Sequence, residues 1–430
     1  MLSSAIGSRK LYYGWVLVMM GMCIFAMSSG TVYYTFGVYL GPIVDEMGWS
    51  RGATSVAFSI FTIVNGGSGP FIAALIQRFG VRRVMLFGQL LLTAGLLALS
   101  QVSHLWHIHL LYGLVLGIGL GCSSYVSMAT LMNTWFTRRR SLAMGLAMAG
   151  SGVGTLVMAP VIRYLIDVIG WRNSWLVLGA VAFVLAFIPT LLLSRNTPQE
   201  MGLQPEDAAA PPKKSTGGGR RVAYTTPVDW EARTAFRTTA FWLILLMAVA
   251  NGFALSMLTS HQVVHLEDVG ISPILAASAI GLMVAASAGG RVLGGVVGQW
   301  FPLRYVATVA FTFQVVGLVI LLLARSLPSV YLYVFLYGPA YGCMVIMFPS
   351  FVGAYFGRKR YAYIFGTLFA MVSIVSSIAP MLAGFVFDAT RSYTIPFCIA
   401  IGLCGLAALA SLLAKPPVTR QTGTEDQADS

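Results

Sequence analysis

One arginine, Arg291, stands alone in a long apolar stretch of the sequence. The stretch runs from Ile274 to Gln299 and is long enough to cross a membrane, which takes about 20 residues. An arginine in hydrocarbon costs from about 3 to more than 10 kcal/mol, so it almost always faces a protein interior or a wet cavity. Because a guanidinium pairs most strongly and directionally with carboxylates and phosphates, Arg291 predicts recognition of an anion.

The acidic residues decide which partner Arg291 can have. All 14 Asp and Glu residues lie in loops, at the ends of apolar runs or in the tails. A buried charge without a partner is strongly unfavourable, so a mobile anion from solution is the missing counter-charge. Two alternatives are a fixed structural pair and a side chain that extends toward Gln299, about 12 Å away along the helix.

Membrane-spanning helices must position Arg291. The chain of 430 residues is 57% hydrophobic and 10% charged, a composition typical of integral membrane proteins. We predict an all-α membrane protein with twelve transmembrane helices in two six-helix pseudo-symmetric bundles. The first apolar run lacks a signal-peptide cleavage site and is predicted to be retained as span 1. Spans 1 to 12 are predicted at residues 12–40, 52–76, 84–103, 108–134, 141–166, 172–194, 240–265, 274–299, 305–324, 330–355, 362–387 and 395–414.

The basic residues set the orientation. Of the 27 Lys and Arg residues, 21 lie on the side of the two termini and five on the other side, and the remaining one is Arg291. The positive-inside rule therefore predicts a multi-pass protein of the inner cell membrane with both termini in the cytoplasm. We call the side of the termini the inner side and the opposite side the outer side.

The sequence also repeats at a spacing of about half its length. The run 65–68 aligns with 288–291, 112–113 with 337–338, and 135–140 with 355–360, at offsets of 220 to 225 residues. Arg291 stands where the first half has Ser68, so the charge occurs in one half only. Such a repeat predicts two parallel halves. The predicted domains are residues 1–194 and 240–414 for the two bundles, 195–239 for a cytoplasmic linker and 415–430 for a cytoplasmic tail.

Three segments resemble a known group of membrane proteins. The run from Ala74 to Arg83 resembles the loop motif of the major facilitator superfamily, with Gln77 in place of its usual Asp. The run from Trp135 to Gly154 resembles the span 5 signature of the monocarboxylate transporter family. The segment 12–15, Tyr-Tyr-Gly-Trp, is similar to that family's other signature.

The resemblance implies the major facilitator fold and carriage of small monocarboxylates such as lactate or pyruvate, often with a proton. It also implies that the span 8 arginine, here Arg291, binds the substrate carboxylate. Two positions depart from animal members: Ser287 replaces an Asp and Tyr34 replaces a Lys, both tied to proton coupling there. Related oxalate and formate exchangers carry a second cation in span 11, where this chain has Val372. A binding site with one cation is suited to a substrate with one carboxylate.

Other polar residues within the spans complete the candidate binding site. Tyr125 in span 4 can donate a hydrogen bond to a carboxylate, and bacterial family members place a Tyr there. Tyr341 follows Gly338 and Pro339, a pair that predicts a local break in span 10. The further candidates are Ser123, Tyr34 and Asn251, of which Asn251 could instead hydrogen-bond between helices. Each of these tyrosines could instead serve only to pack the helices together.

Span 7 carries His261 and His265 four residues apart, hence on one face. Histidine titrates near neutral pH, so the deeper one, His261, is the candidate proton carrier. The alternative is a hydrogen-bonded histidine near the outer surface. No third ligand accompanies the pair and the five Cys lie in apolar runs, so we predict no metal site and no cofactor.

These observations predict a secondary active transporter, not an enzyme. The partners are a small monocarboxylate anion, a proton and the lipid bilayer, with no nucleic acid and a monomeric transport unit. The alternative is an organic-anion exchanger or an exporter of larger amphipathic compounds. A nucleotide-binding GxxxxGK loop is missing, which disfavours ATP-driven transport. A membrane-embedded enzyme is disfavoured because the spans hold few groups for acid–base or nucleophilic chemistry.

Overall fold

The computed structural model describes residues 12–123, 125–136, 139–204, 224, 226, 228–357 and 359–417. The regular elements of these residues are helices, and they follow the predicted order. Their bounds are Tyr13–Met47, Arg51–Gly67 with Gly69–Phe79, Val81–Leu99, Leu105–Trp135, Leu142–Leu193, Thr239–Asp268, Pro273–Trp300, Leu303–Leu323, Leu327–Phe356, Tyr361–Ser376 with Ile378–Thr390, and Thr394–Leu413.

Ten of these helices are long and apolar enough to cross a membrane, and an eleventh is the pair Arg51–Gly67 and Gly69–Phe79, which meets at 52°. The segment Leu142–Leu193 has 52 residues, or about 78 Å of helix, far more than one crossing needs. Its backbone leaves helical geometry at Gly170, with φ 79° and ψ 159°, and we assign spans 5 and 6 to its two sides. In the described part of the chain, the prediction of a twelve-span fold is confirmed.

Two spans differ from their predicted form. Span 1 was expected to end near residue 40, but it passes through a π-helical turn at Ser29–Tyr33 and continues as Phe36–Met47. The break expected at Pro339 is absent, because Leu327–Phe356 is one continuous helix. Span 8 packs tightly on this region: a Cβ added to Gly290 would overlap the Pro339 carbonyl. Neighbouring helices of this kind allow a membrane span to keep a proline without a break.

The described parts of the central loop pack against the bundles. A short helix occupies Ala232–Ala235, within the predicted linker 195–239. The backbone N–H of Trp230 donates to the carbonyl of Phe356 at 3.0 Å, so this segment caps the inner end of span 10. Residues 205–223 of the predicted linker lie outside the described residues, as does the predicted tail beyond residue 417.

The two halves approach each other closely in the outer part of the molecule. A Cβ added to Gly37 of span 1 would lie 2.9 Å from the carbonyl oxygen of Ser260 in span 7. A Cβ added to Gly281 of span 8 would lie 2.9 Å from the carbonyl oxygen of Thr155 in span 5. Glycine is needed at both positions because only a hydrogen fits between these backbones.

Candidate anion-binding site between the two halves

Arg291 lies in the inner half of span 8, nine residues before its end at Trp300. The side chain is partly exposed, and its Nε is buried without a hydrogen-bond partner. Among the residues that the structure describes, Arg291 forms no ion pair. The guanidinium therefore has unused hydrogen-bonding capacity inside the bundle, which is costly unless an anion or water supplies the partner.

A tyrosine of the C-terminal half lies near this guanidinium, and a tyrosine of the N-terminal half meets it there. Tyr341 of span 10 is only 5% exposed, and its hydroxyl is close enough to Arg291 to interact electrostatically. The Tyr341 hydroxyl lies 3.4 Å from the hydroxyl of Tyr34 in span 1. The structure thus brings three of the predicted site residues together at the boundary between the halves.

The π-helical turn also brings Tyr33 to this cluster, a residue that the sequence did not single out. Its ring centroid lies 4.9 Å from that of Tyr34 and 5.8 Å from that of Phe61. Successive residues of an α-helix point about 100° apart, so no periodic pattern predicts two neighbouring tyrosines at one site. The cluster combines a cation, phenolic hydroxyls and an aromatic wall.

The hydroxyls of Tyr34 and Tyr341 give a testable contribution to ligand affinity. We expect Tyr34→Phe and Tyr341→Phe each to raise the apparent KM for a carboxylate about 2- to 12-fold, the value of one hydrogen bond of about 0.5–1.5 kcal/mol. Initial uptake rates over a substrate range measure this change. Tyr39→Phe is the control, because its hydroxyl bonds to Ser174 inside the N-terminal half. Equal effects in all three variants would point to packing and contradict ligand contact.

Tyr125 and Ser123 lie elsewhere along span 4. Tyr125 is 54% exposed, and its electrostatic neighbour is Tyr361 at the inner start of span 11. Ser123 is fully buried, and its hydroxyl donates to the carbonyl of Gly119 at 2.7 Å. It packs against span 3 at Gly88. The structure does not join either residue to Arg291, so their binding roles stay predictions.

Asn251 forms a hydrogen bond within the C-terminal half. Its Oδ1 accepts a hydrogen bond of 3.0 Å from Nε2 of Gln314 in span 9, and both residues are buried. The thiol of Cys404 in span 12 lies 3.8 Å from Oε1 of the same glutamine. This is the interhelical alternative considered for Asn251, because the pair ties three spans of one half together.

The pairing of Asn251 predicts an effect on stability without one on binding. We expect Asn251→Ala to lower the free energy of unfolding by about 1–3 kcal/mol, because Gln314 loses its buried partner. Thermal unfolding in detergent, together with the KM for uptake, measures both quantities. The double variant Asn251→Leu with Gln314→Leu should recover stability. A raised KM at unchanged stability would assign Asn251 to the substrate instead.

His261 lies at the outer end of span 7 and is fully buried. Its Nε2 lies 2.7 Å from the Pro380 carbonyl and 3.2 Å from the Ser55 hydroxyl, and its Nδ1 lies 3.1 Å from the Tyr393 hydroxyl. These partners belong to both halves. His261 is therefore part of the contact between the outer ends and not of the cluster at Arg291.

Charged residues surround His261 and join the outer ends. Arg51 of span 2 forms a bidentate pair with Asp268 of span 7, with N–O distances of 2.5 and 2.9 Å. The Asp388 carboxylate of span 11 accepts the backbone N–H groups of Arg51 and Gly52 at 3.0 and 2.8 Å, capping a helix of the other half. We call this set, with His261, the outer closure. Its one signal in the sequence is weak and consists of the few basic residues of the outer side.

Twelve helical spans in two repeated halves that meet around an arginine within the bundle define a membrane transport protein. The chain belongs to the major facilitator superfamily: the sequence profile described as "Major Facilitator Superfamily" matches residues 18–362. Over the described residues, no group of three or more His, Cys, Asp or Glu is arranged to hold a metal ion.

Comparison with individual proteins shows which members of the superfamily the chain resembles. The chain is 26% identical over 405 residues to "Monocarboxylate transporter 11" of Homo sapiens, covering 90% of this chain and 80% of that protein. It is 22% identical over 402 residues to "Uncharacterized MFS-type transporter YcxA" of Bacillus subtilis, covering 91% and 92%. A solved structure of a bacterial homologue of the human lysosomal transporter Spinster superposes with a TM-score of 0.66 at 19% identity, covering 95% and 94%. The chain is a major facilitator transporter related, at low identity, to monocarboxylate transporters.

Proposed function

We propose that the protein is a secondary active transporter of small monocarboxylates of the lactate and pyruvate type. The substrate carboxylate pairs with the Arg291 guanidinium, and Tyr341 and Tyr34 donate hydrogen bonds to it. A bidentate guanidinium–carboxylate pair gives both direction and affinity. The observation that carries this proposal is the buried Nε of Arg291, which lacks a partner among the described residues.

The position of the cluster supports alternating access. Tyr34 belongs to one half and Tyr341 to the other, so a ligand between them contacts both halves. The outer closure joins the halves on one side of the site, and in this arrangement an anion would reach Arg291 from the inner side. Rocking of the halves then exposes the same site to the opposite side. A bound carboxylate neutralises Arg291 and lowers the cost of moving it through a dry intermediate.

Proton coupling is the finer part of this proposal. Transport of one anion with one proton moves no net charge, which suits a site with a single cation. His261 is the candidate carrier because it contacts both halves within the outer closure. A proton on this ring would remove the acceptor nitrogen that serves its present hydrogen bonds and would loosen the closure.

The proposal includes a location and an organisation. The protein lies in the inner cell membrane with both termini in the cytoplasm, as the basic residues of its loops indicate. Residues 1–194 and 240–414 form the two moving bundles, and residues 195–239 connect them. The transport unit is a monomer, because both halves that flank Arg291 come from one chain.

Uptake into proteoliposomes tests the function. Purified protein is reconstituted, and the entry of labelled lactate and pyruvate is followed with and without an inwardly directed proton gradient. We expect saturable uptake of both, accelerated by the gradient. Counter-flow with a panel of larger organic anions separates the alternative, an exchanger or exporter. Exchange of large anions without net uptake of lactate or pyruvate would contradict the proposal.

A further inference from the structure

One cavity among the described residues lies outside the space between the halves. It has a volume of about 390 Å³ and opens between spans 8, 9 and 10, on the face of span 8 that carries Gly290 and Gly294. Several of its lining side chains are strongly exposed, including Leu293, Val309 and Phe313. Since these exposed groups belong to spans, the cavity is a groove in the surface that faces the lipid.

The groove matches the chain region of one leaflet in length and chemistry. It extends along span 9 from Tyr305 near the inner end to Phe313, about 12 Å at 1.5 Å per residue. Half of a hydrocarbon core of about 30 Å is about 15 Å. The lining consists almost wholly of apolar side chains, so an acyl chain of the inner leaflet can fill the groove without leaving a polar group unpaired.

A cation lies at the inner end of this groove. Nη2 of Arg304 donates to the hydroxyl of Tyr305 at 2.9 Å, and its guanidinium carbon lies 4.7 Å from the centroid of the Tyr305 ring, which lines the groove. Among the described residues, Arg304 has no acidic partner. A basic residue at the end of a groove between spans is complementary to an anionic lipid headgroup.

We propose that spans 8 to 10 form a binding site for one anionic phospholipid, with an acyl chain in the groove and the phosphate on Arg304. The groove lies on the back of the helix that carries Arg291, where Gly290 and Gly294 let span 8 pack directly against Pro339 and Cys343 of span 10. An acyl chain seated there supports the packing of span 8 on span 10. The site therefore links the lipid composition to the stability of the C-terminal half.

Native mass spectrometry of the full-length protein tests this site. The protein is taken from nanodiscs of phosphatidylcholine with one quarter phosphatidylglycerol, and the retained lipids are counted. We expect wild type to retain phosphatidylglycerol preferentially, and Arg304→Gln to lower that preference about fivefold, the value of one cation at a lipid surface. Arg325→Gln is the matched control, since it removes a charge at the outer ends of spans 9 and 10.

A second variant distinguishes the contribution of the groove to lipid binding from that of the Arg304 charge. Val309→Trp fills the groove and should lower retention of both lipids while Arg304 is intact. Thermal shifts with inorganic phosphate distinguish a lipid from a free anion: phosphate should not reproduce the stabilisation by phosphatidylglycerol. Unchanged lipid retention in Arg304→Gln, or an equal loss in Arg325→Gln, would overturn the proposal, as would full stabilisation by phosphate alone.

Discussion

Replacement of Arg291 by Met is expected to abolish uptake while making the substrate-free protein more stable. Loss of one partner from a buried charge pair costs about 2–5 kcal/mol, so uptake at low substrate should fall at least about 30-fold. The same change removes a cation whose Nε is buried and has no partner in the described structure. Because such a group costs about 1–3 kcal/mol, the melting temperature without substrate should rise.

The combination of the two outcomes is what distinguishes a ligand-binding arginine from a structural one. Thermal unfolding is measured with and without lactate, and we expect lactate to stabilise wild type but not Arg291→Met. Arg325→Met serves as the control, because Arg325 lies in an outer loop and bonds only to the neighbouring carbonyl of Ala324 among described residues. A lower melting temperature of Arg291→Met without substrate would mean that Arg291 has a fixed internal partner. That result would contradict the proposed binding site.

Disruption of the outer closure is expected to have the second largest effect. The Arg51 side chain is 15% exposed and that of Asp268 is 35% exposed, so their pair is worth less than a fully buried one. We expect Asp268→Asn to shift the balance toward outward-open molecules by about 1–2 kcal/mol, or about 5- to 30-fold. The turnover rate should fall because the closed state is then reached less often.

Distances between spin labels measure this shift directly. Labels on Gln101 and Arg325, exposed residues at the outer ends of the two halves, should move apart in Asp268→Asn. The exchange variant, Arg51→Asp with Asp268→Arg, should restore most of the shorter distance because it restores the pair. Unchanged distances in Asp268→Asn would mean that Asp388, His261 and the glycine contacts hold the outer ends without the ion pair.

The acids of the outer closure illustrate what the sequence could not reveal. Each of Asp268 and Asp388 ends a span and looks, in the sequence, like an ordinary loop residue. Their partner Arg51 is more than 200 positions away from both. Such pairings depend on how two halves approach each other, which no local pattern encodes. His261 was singled out as a proton carrier from the sequence, but its partners on both halves were not predictable.

The local geometry of span 1 was also not predictable from the sequence. A regular helix would present Tyr33 and Tyr34 on different faces, and the apolar pattern gave no sign of the π-helical turn at Ser29–Tyr33. In span 10 the sequence suggested a break at Pro339 that packing against Gly290 prevents. In span 10 the tertiary packing overrode the local preference.

By itself the sequence determined the twelve spans, their two-fold repeat and the isolation of Arg291 from every acidic residue. These follow from hydrophobic length and from the high cost of charge in hydrocarbon, which are properties of local sequence. Only the tertiary structure decided that Tyr34 meets Tyr341 near Arg291, that Asn251 serves the interior of one half, and that the outer ends are joined. Those features rest on long-range packing between helices, where shape and hydrogen-bond geometry, and not hydrophobicity, select the partners.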